Sequence, residues 1–329
     1  MTDPACVLGV DSGGSGMRVA LDGLDGLARA APVSSKEPVR TGAFGIDAEH
    51  FMEQLVPLAR ELLEQAGGGR ITAVAVGASG MATLGDDLRA ELPSALRQAL
   101  GVRRLALAAD AVTAYAGALG DRPGAVVAAG TGMIAIGTDL TAWHRADGWG
   151  HLLGDCGGGS WIGRAGLEAA MRAFDGRRHG SKALLARAEE LFGPVSGLPG
   201  RLYPRTDRPA MLASFAPEVA HCAPDDPVAD AILRDAARHI ADAAAAVCPA
   251  PDAVSPGERP EIALTGGLFK MGDALLQPVR AELEDRLRHV RLVRAAGDPL
   301  DGAVRIAADV VMNRLRLPLD PRMLTVHTE

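Results

Sequence analysis

The chain has 329 residues, of which 48% are apolar, 23% charged and 3% aromatic, and its formal net charge is −7. This length exceeds what one hydrophobic core usually supports, and this composition excludes a disordered protein, so we predict two domains with a ligand cleft between them. The 34 basic residues are scattered along the chain, which argues against a nucleic-acid partner.

The N-terminal residues and the cysteines bear on the compartment. No basic region followed by a long apolar run opens the chain, and no apolar stretch reaches the roughly 20 residues that span a membrane. The cysteines lie far apart without a C-x-x-C pair, as is typical of free thiols in a reducing compartment. We therefore expect a cytoplasmic protein without a membrane partner. The cysteines are Cys6, Cys156, Cys222 and Cys248.

The first third of the chain alternates strands with helices. An apolar strand at 6–10 runs into the glycine turn DSGGSG at 11–16, and a second strand follows at 17–22. Asp47 is the predicted N-cap of a helix that ends at Gln65. The other elements predicted here are a strand at 71–76, a helix at 86–100, a strand at 104–109 and a helix at 111–119.

The remaining two thirds repeat the strand, glycine turn, strand pattern. The strand at 125–129 enters GTG at 130–132, and a strand at 133–137 leaves it. The repetition favours two related halves, although two hairpins can also arise independently. Further predictions are helices at 161–174, 182–192, 210–219, 227–247, 271–287 and 300–315, strands at 261–264 and 290–293, a proline-rich surface loop at 249–260 and a surface segment after Pro318.

Alternating strands and helices indicate an α/β fold. The predicted domains are 1–118 and 119–329, with helix 300–315 packing back on the first. Glycine clusters follow strands in DSGGSG, in AGTGM and in TGGLF at 265–269, where backbone N–H groups can approach a phosphate. A P-loop signature is absent, and no G-x-G-x-x-G opens a helix after the first strand, so P-loop and Rossmann nucleotide sites are excluded.

The order of these motifs resembles the actin-like ATPase and hexokinase superfamily. Within it, the chain is similar to the N-acetylglucosamine kinases and to the related activator ATPases of acyl-CoA dehydratases and reductases, the BadF/BadG/BcrA/BcrD group. The block GWGHLLGDCGGGSWIG at 148–163 is the most specific part of the likeness. The resemblance implies a two-lobed actin-like (ribonuclease H-like) fold with duplicated mixed-sheet domains, ATP and Mg²⁺ as cofactors, a small amino sugar as substrate, and a homodimer.

The resemblance also implies a role for particular residues. Asp110 matches the catalytic aspartate that accepts the proton of the sugar hydroxyl, and its alternative role is a helix N-cap. Asp11 matches the carboxylate that holds Mg²⁺ through water, and its alternative is an Asx turn. The residues expected to bind the nucleotide are Asp11, Ser12, Gly13, Gly14, Ser15, Gly16, Gly130, Thr131, Gly132, Gly266 and Gly267.

For the sugar, the implied contacts are Ser79, Gly80, Trp149, Asp155 and Asp110 itself. Core packing is the alternative for Trp149, and a turn is the alternative for Asp155. The chain departs from the family pattern twice. Residues 42–45 read GAFG where the family carries a G-x-x-N loop, and Cys156 stands where an acid usually follows the block's aspartate. Both departures bear on which sugar is bound.

Three functions remain open from the sequence. The first is an ATP:amino-sugar 6-phosphotransferase acting on N-acetylglucosamine, with glucosamine or N-acetylmuramic acid as alternatives. The second is an activator ATPase, which needs a cysteine-ligated iron–sulfur cluster, and the cysteine spacing argues against it. The third is a sugar-sensing protein without catalysis, and the presence of Asp11 and Asp110 argues against that.

Overall fold

The computed structural model describes residues 4–14, 16–25, 29–42, 45–254 and 259–328. The chain forms two compact units. The first consists of residues 1–124, 138–143 and 294–329, and the second of residues 125–137 and 144–293.

Strands and helices alternate along both units, with a cluster of helices between the strands of the second. The strands are β1 (Ala5–Gly13), β2 (Gly16–Gly23), β3 (Val33–Ser35), β4 (Thr41–Gly42), β5 (Gly45–Ile46), β6 (Arg70–Ala78), β7 (Arg104–Ala109), β8 (Gly124–Ala129), β9 (Met133–Thr138), β10 (Trp143–Asp147), β11 (Glu261–Thr265), β12 (Arg291–Arg294) and β13 (Leu324–Thr328). The helices are α1 (Ala48–Gln65), α2 (Met81–Leu84), α3 (Asp86–Leu100), α4 (Asp110–Leu119), α5 (Gly159–Phe174), α6 (Lys182–Phe192), α7 (Leu198–Leu202), α8 (Arg208–Ala213), α9 (Ala216–Cys222), α10 (Pro227–Val247), α11 (Asp273–Arg286) and α12 (Pro299–Val311).

The sheet of the first unit has the strand order β13-β7-β6-β1-β2-β3. Strands β1, β6 and β7 run parallel, whereas β2, β3 and β13 each run antiparallel to their neighbours. The three parallel strands are apolar along almost their whole length because both faces of this part of the sheet are covered. Their carboxyl ends therefore meet at one edge of a rigid sheet.

The sheet of the second unit has the order β10-β9-β8-β11-β12. Its first three strands are consecutive in the chain and are followed by two that return on the other side of β8. The same order, β3-β2-β1-β6-β7, occurs within the first sheet. The shared order confirms the predicted α/β fold with duplicated mixed sheets.

Helix α12 covers the first sheet by packing on β1, β6 and α4. The packing is close, since a Cβ at Gly9 of β1 would overlap Val304, and one at Gly302 would overlap the carbonyl of Thr113 in α4. Asp298 caps the helix and forms a capping box with Asp301.

The core of the second unit is formed largely by helices packed around the longest described helix, α10. Its side chains Leu233, Ala237, Ile240 and Ala244 are fully buried, and charged residues occupy the opposite face. None of the helices in the described ranges is both long enough and apolar enough to cross a bilayer.

Most predicted elements agree with the structure to within a few residues, including the Asp47 cap, whose carboxylate accepts from the amide of His50. Helix 210–219 was wrong as a single element. It is divided between α8 and α9, because Pro217 in the first turn of α9 has no N–H with which to continue the preceding helix. The predicted helix 300–315 ends at Val311, just before Asn313 takes a left-handed φ of 50°.

The prediction of a surface segment after Pro318 was also wrong. Strand β13 pairs with β7 along its whole length, from Leu324 opposite Ala108 to Thr328 opposite Arg104. Leu324 is fully buried. The sequence of this tail is only weakly apolar because an edge strand gains much of its stability from backbone hydrogen bonds to its neighbour.

Candidate active site

The carboxyl edge of the first sheet gathers several predicted site residues. Ser12 pairs with Ala78 across β1 and β6, and Ala78 pairs with Ala109 across β6 and β7. Because neighbouring strands lie about 4.8 Å apart, the backbones of Ser12 and Ala109 are separated by roughly 10 Å. Ser79 and Asp110 directly follow two of these paired residues. The structure thus brings Asp11 and Ser12, Ser79 and Asp110 to one edge of one sheet.

Asp11 has a partner that the sequence analysis missed. Its cross-strand neighbour in the β1–β2 hairpin is Arg18, whose Nη2 lies 2.6 Å from Asp11 Oδ2. The Nη1 atom of the same guanidinium lies 2.6 Å from Oδ2 of Asp298, the N-cap of α12. Arg18 therefore holds the predicted metal-binding carboxylate and ties it to a helix cap. The hairpin register, once known, identifies this pair.

The ion pair between Arg18 and Asp298 also shifts the pKa values of these two groups. Burial opposes the charge of Asp298, but the hydrogen bond and the positive charge of Arg18 outweigh burial and lower the pKa of this carboxyl. Burial likewise opposes the charge of Arg18, while hydrogen bonds to Asp298 and Asp11 raise its pKa. Arg18 and Asp298, which lie beside Asp11, are thus held in their ionised forms.

The glycines of the first hairpin face open space. A Cβ at Gly13 or Gly14 would meet no atom within 4 Å, so their backbone is accessible to a ligand. Gly13 pairs with Gly16, which is the last pair of the hairpin ladder. Ser15, predicted to bind nucleotide, lies outside the described residues.

Asp110 begins helix α4 directly after β7. The carboxylate is half-buried, and its Oδ1 accepts from the amide of Ala111 at 2.8 Å. Its alternative role as the helix cap is not what the structure shows, because the N-cap position belongs to Ala109. Asp110 therefore lies in the first turn of a helix, where the helix dipole favours an ionised carboxylate.

A cavity of about 190 Å³ lies at the same sheet edge. Such a volume is below the roughly 300–1,000 Å³ typical of drug-sized ligands, so it suits a single small ring. None of the described residues that line it carries an ionisable side chain. The lining residues are Ser12, Gly13, Gly14, Pro38, Val39, Thr41, Ile46, Ala78 and Ser79.

The departure at residues 42–45 has a structural basis at Gly45. Its φ is +118°, and a Cβ there would overlap the carbonyl oxygen of Leu84 in α2. An asparagine would be strained at this position, and only glycine fits without a shift. Residues 43–44 of the same loop lie outside the described residues. Gly80, predicted to contact the sugar, adopts a φ of 83° and starts α2.

In the second unit, the GTG turn rests on the start of helix α5. The amide of Gly159 donates to the carbonyl of Gly130 at 2.9 Å, and the amide of Ser160 donates to that of Thr131 at 2.8 Å. The amides at the start of α5 therefore hold the turn through its carbonyl groups. Thr131 is exposed to solvent. The positive end of the α5 dipole lies directly behind the turn. Such an arrangement favours an anion in front of it.

The TGG turn lies beside the GTG turn in the same unit. Gly266 has a φ of +105°, and a Cβ at this position would overlap the carbonyl of Ala129, the residue before GTG. Position 266 thus requires glycine, because the two turns are in contact there. Gly267 faces open space. The structure brings Gly130, Thr131, Gly132, Gly266 and Gly267 together at one end of the second sheet.

The loop at 147–156 is organised by Asp147, which the sequence analysis missed. Oδ1 of Asp147 accepts from the amide of Asp155 at 2.6 Å, and Oδ2 accepts from the amide of Cys156 at 2.9 Å. These bonds close the loop on itself, and both Asp147 and Asp155 adopt left-handed φ angles. The carboxylate of Asp147 thus lies beside the backbone of Cys156. Position 156 is the one at which the resemblance leads us to expect an acid.

Asp155 lies between this loop and the GTG turn. Its Oδ1 accepts from the amide of Gly150 at 3.1 Å, and its Oδ2 would lie 2.5 Å from a Cβ placed on Gly132. Burial is the main cause that raises the pKa of Asp155, and the charge of Asp147 raises it further. This carboxylate is partly desolvated and forms no salt bridge with the residues that the structure describes, so it is suited to accept hydrogen bonds from a ligand.

Trp149 is exposed on the same loop rather than packed in the core. Its side chain is 63% accessible, and the guanidinium carbon of Arg145 lies 4.3 Å from the ring centroid. Arg145 also donates to the carbonyls of Asp147 and Gly148. Core packing, the alternative for Trp149, is therefore wrong, and the ring is held in place by a cation–π contact.

Comparison with known families decides where the chain belongs. The model of the BadF/BadG/BcrA/BcrD ATPase family matches residues 8–307. The chain belongs to the BadF/BadG/BcrA/BcrD ATPase family. A curated member similar to this chain is the N-acetylmuramic acid/N-acetylglucosamine kinase of Clostridium acetobutylicum, at 29% identity over 184 residues. That match covers 54% of this chain and 57% of the relative, little more than half of each.

Solved structures extend the likeness to nearly the whole chain. A candidate N-acetylglucosamine kinase from Chromobacterium violaceum has a TM-score of 0.67 and 29% identity, covering 92% of this chain and 98% of that one. A second candidate N-acetylglucosamine kinase, from Porphyromonas gingivalis, has a TM-score of 0.69 at 16% identity, with 93% and 99% coverage. The ROK hexokinase of Thermus thermophilus shares the fold, with a TM-score of 0.53, 18% identity, and 94% and 99% coverage.

The ATPase family implies a nucleotide, and the described residues fit one. Gly13, Gly14, Gly130 and Gly267 all leave the space in front of their backbone open. Within the described ranges, no three His, Cys, Asp or Glu side chains cluster as a metal site. A lone carboxylate such as Asp11 suits Mg²⁺, which keeps most of its water and binds chiefly through phosphates.

Proposed function

We propose that this chain is an ATP-dependent sugar kinase that converts N-acetylglucosamine to its 6-phosphate. The observation that carries the proposal is the register of the first sheet, in which Ser12, Ala78 and Ala109 form one row. This row aligns the predicted phosphate hairpin, the predicted sugar residue Ser79 and the predicted base Asp110. Likeness to proteins named as sugar kinases supports it.

Asp110 is proposed as the general base. Its carboxylate is half-buried at the carboxyl end of β7, and the Ala111 amide fixes one oxygen. That amide orients the carboxyl group, so that it can accept the proton of the sugar hydroxyl as the hydroxyl oxygen attacks phosphorus. An ionised carboxylate in the first turn of α4 is also stabilised by the helix dipole.

The glycine turns are proposed to hold the phosphates. Magnesium-bound ATP supplies the phosphoryl group, and its negative charge requires donors that are already in place. The amides of Gly13 and Gly14 in the first unit, and the GTG turn with the Thr131 hydroxyl in the second, are those donors. Asp11 is proposed to face the metal through water, with Arg18 fixing the carboxylate.

The sugar is proposed to contact Ser79, Gly80, Trp149 and Asp155. The desolvated carboxylate of Asp155 suits sugar hydroxyls, which donate hydrogen bonds. The described lining of the cavity beside Ser79 contains no ionisable side chain, which favours a neutral acetamido group over the ammonium of glucosamine. N-acetylmuramic acid remains the second candidate, since the curated relative is named for both acetylated sugars.

The alternative of an activator ATPase finds less support. Iron–sulfur clusters need cysteine thiolates, whereas burial raises the pKa of all four thiols, and that of Cys248 reaches about 12. Cys6 and Cys222 are buried, and Cys156 and Cys248 are half-buried. Raised thiol pKa values disfavour the form that binds iron.

The test is sugar-dependent release of ADP, measured with a coupled assay over N-acetylglucosamine, N-acetylmuramic acid, glucosamine and glucose. We expect turnover with an acetylated amino sugar and little or no hydrolysis without sugar, because a kinase excludes water from the transferred phosphoryl group. ATP hydrolysis that is equally fast with and without sugar, or a brown protein that contains iron, would support the activator reading instead.

A further inference from the structure

The cavity beside the first phosphate hairpin has one wall made of a short hairpin. Strands β4 and β5 pair Thr41 with Ile46, and the ladder continues where the amide of Asp47 donates to the carbonyl of Arg40 at 2.9 Å. Thr41 and Ile46 line the cavity, as do Pro38 and Val39 just before the hairpin. The positions of these four residues therefore set the width of the cavity on this side.

A two-stranded hairpin this short is at best marginally stable alone, so something must hold it. His50, in the first turn of α1, makes that contact. Its side chain is only 5% exposed, and its Nδ1 accepts from the backbone amide of Arg40 at 3.0 Å. Because an amide can only donate, Nδ1 carries no proton, and the ring proton of the neutral imidazole lies on Nε2.

The other ring nitrogen reaches the opposite end of the cavity wall. Nε2 of His50 lies 3.2 Å from Oε1 of Glu37 and 3.4 Å from the side-chain amide nitrogen of Gln54. With the ring proton on Nε2, the imidazole donates to the Glu37 carboxylate. Glu37 and Arg40 flank the two cavity-lining residues Pro38 and Val39. One buried ring thus fixes both ends of a four-residue segment.

We propose that His50 is a positioning residue for the sugar, acting through the cavity wall formed by Pro38, Val39, Thr41 and Ile46; this rests on the proposed sugar-kinase function. The ring does not line the cavity and does not contact the predicted phosphate or catalytic residues. Its loss is therefore expected to change the affinity for sugar, with little effect on ATP binding or on the chemical step. The hydrogen bond from the backbone amide of Arg40 to Nδ1 of His50 is the critical contact, because it joins the cavity wall to α1.

Two amide substitutions at position 50 separate the two ring contacts, because each places a polar atom near only one of the two ring nitrogens. In His50→Asn the amide oxygen can take the place of Nδ1 and keep the bond from Arg40, whereas in His50→Gln the longer side chain can reach Glu37 only. We expect the sugar KM to rise about tenfold in His50→Gln and to stay within about twofold of wild type in His50→Asn. In both variants kcat and the KM for ATP should stay within about twofold.

Two control variants accompany them. Glu37→Gln retains an oxygen acceptor for Nε2 and should behave like wild type. His221→Gln changes an exposed histidine of α9 in the second unit and should also change nothing. A sugar KM that is the same in His50→Gln and His50→Asn, or a KM for ATP that rises equally, would contradict the proposal.

A second readout does not depend on catalysis. Hydrogen exchange of a peptide that covers residues 38–46, measured by mass spectrometry in the free protein, should be faster in His50→Gln than in wild type and His50→Asn. Unchanged exchange in His50→Gln refutes the anchor even if no sugar is turned over. A wild-type protein without sugar-dependent activity but with faster exchange in His50→Gln refutes the kinase function and leaves the anchor standing.

Discussion

Two groups of aspartates in this molecule are held in place by different means. Asp11 and Asp110 lie at the carboxyl ends of parallel strands, so the register of a buried sheet sets their backbone positions. Asp147 and Asp155 lie in one loop of the second unit, which is closed by hydrogen bonds from backbone amides to the Asp147 carboxylate. A residue held by a sheet can lose its charge without moving its neighbours, whereas the loop depends on Asp147 itself.

The charges around the two groups differ as well. Asp11 faces the guanidinium of Arg18, while Asp155 is desolvated beside a second carboxylate. The first environment fixes a carboxylate in position beside a guanidinium, as suits a proposed role towards a metal ion. The second leaves a desolvated carboxylate that accepts from the Gly150 amide and is proposed to accept from the hydroxyls of a sugar as well. The comparison therefore separates a proposed catalytic and metal side from a proposed sugar side.

The largest effect is expected for Asp110→Asn. Since the sheet holds this position, the variant should fold normally and bind sugar and ATP, while kcat falls by about 10²- to 10⁴-fold because the general base is lost. Steady-state kinetics and calorimetric titration of both ligands measure this. Asp121→Asn, just beyond the other end of α4, is the matched control and should keep kcat. Turnover close to wild type in Asp110→Asn would remove Asp110 from its proposed role.

A smaller but broader effect is expected for Asp147→Ala. The amides of Asp155 and Cys156 lose their charged acceptor, and such bonds typically contribute about 1.5–3 kcal/mol each to stability. The melting temperature should fall and the sugar KM should rise together. Asp139→Ala is the control, because Asp139 accepts from the amides of Thr141 and Ala142 in a turn of the first unit. That variant should leave the sugar KM unchanged; if both variants raise it equally, the loop is not specific to the sugar.

The smallest effect on stability, and the sharpest one on pH dependence, is expected for Asp155→Asn. The raised pKa of Asp155 means that its ionised form costs stability in the folded protein. The asparagine variant should therefore melt at the same or a higher temperature than wild type at about pH 8. This difference should shrink as the pH falls through the raised folded-state pKa of Asp155 and should vanish at about pH 4, near the ordinary pKa of aspartate, because wild-type Asp155 becomes protonated. The left-handed φ at this position is compatible with asparagine.

The same Asp155→Asn variant should lose affinity for sugar, since a carboxylate acceptor becomes an amide. Thermal scans at both pH values and the sugar KM are measured on one preparation. A variant that melts lower than wild type at pH 8 would show that Asp155 has a structural role, and the contrast between the two groups of aspartates would fail.

Much of the fold follows from the sequence, because its signals are local. Apolar strands that end in glycine turns, and helices that begin after an N-cap such as Asp47, can be identified from short stretches of sequence. Strand β13 could not be predicted, since its stability comes from pairing with β7, which lies more than 200 residues earlier in the chain. The sequence predicts one helix in place of α8 and α9 because the apolar pattern continues across the break between them. Only the position of Pro217 indicates the break.

The candidate site was predicted less completely. Residues that carry the expected chemistry were found through motifs, whereas the residues that hold them were not. Arg18, Asp298, Asp147 and His50 act through contacts that depend on register, on a closed loop or on burial. A single sequence gives no direct pattern for such contacts. Arg18 lies opposite Asp11 only once the hairpin register is known.

The most direct test of the central claim is the identity of the product. Phosphorus NMR of the protein with magnesium-bound ATP and N-acetylglucosamine should show a new phosphomonoester resonance that matches the sugar 6-phosphate, formed in step with ADP. Inorganic phosphate appearing instead, with no sugar phosphate at any time, would contradict the proposal that this chain transfers a phosphoryl group to a sugar.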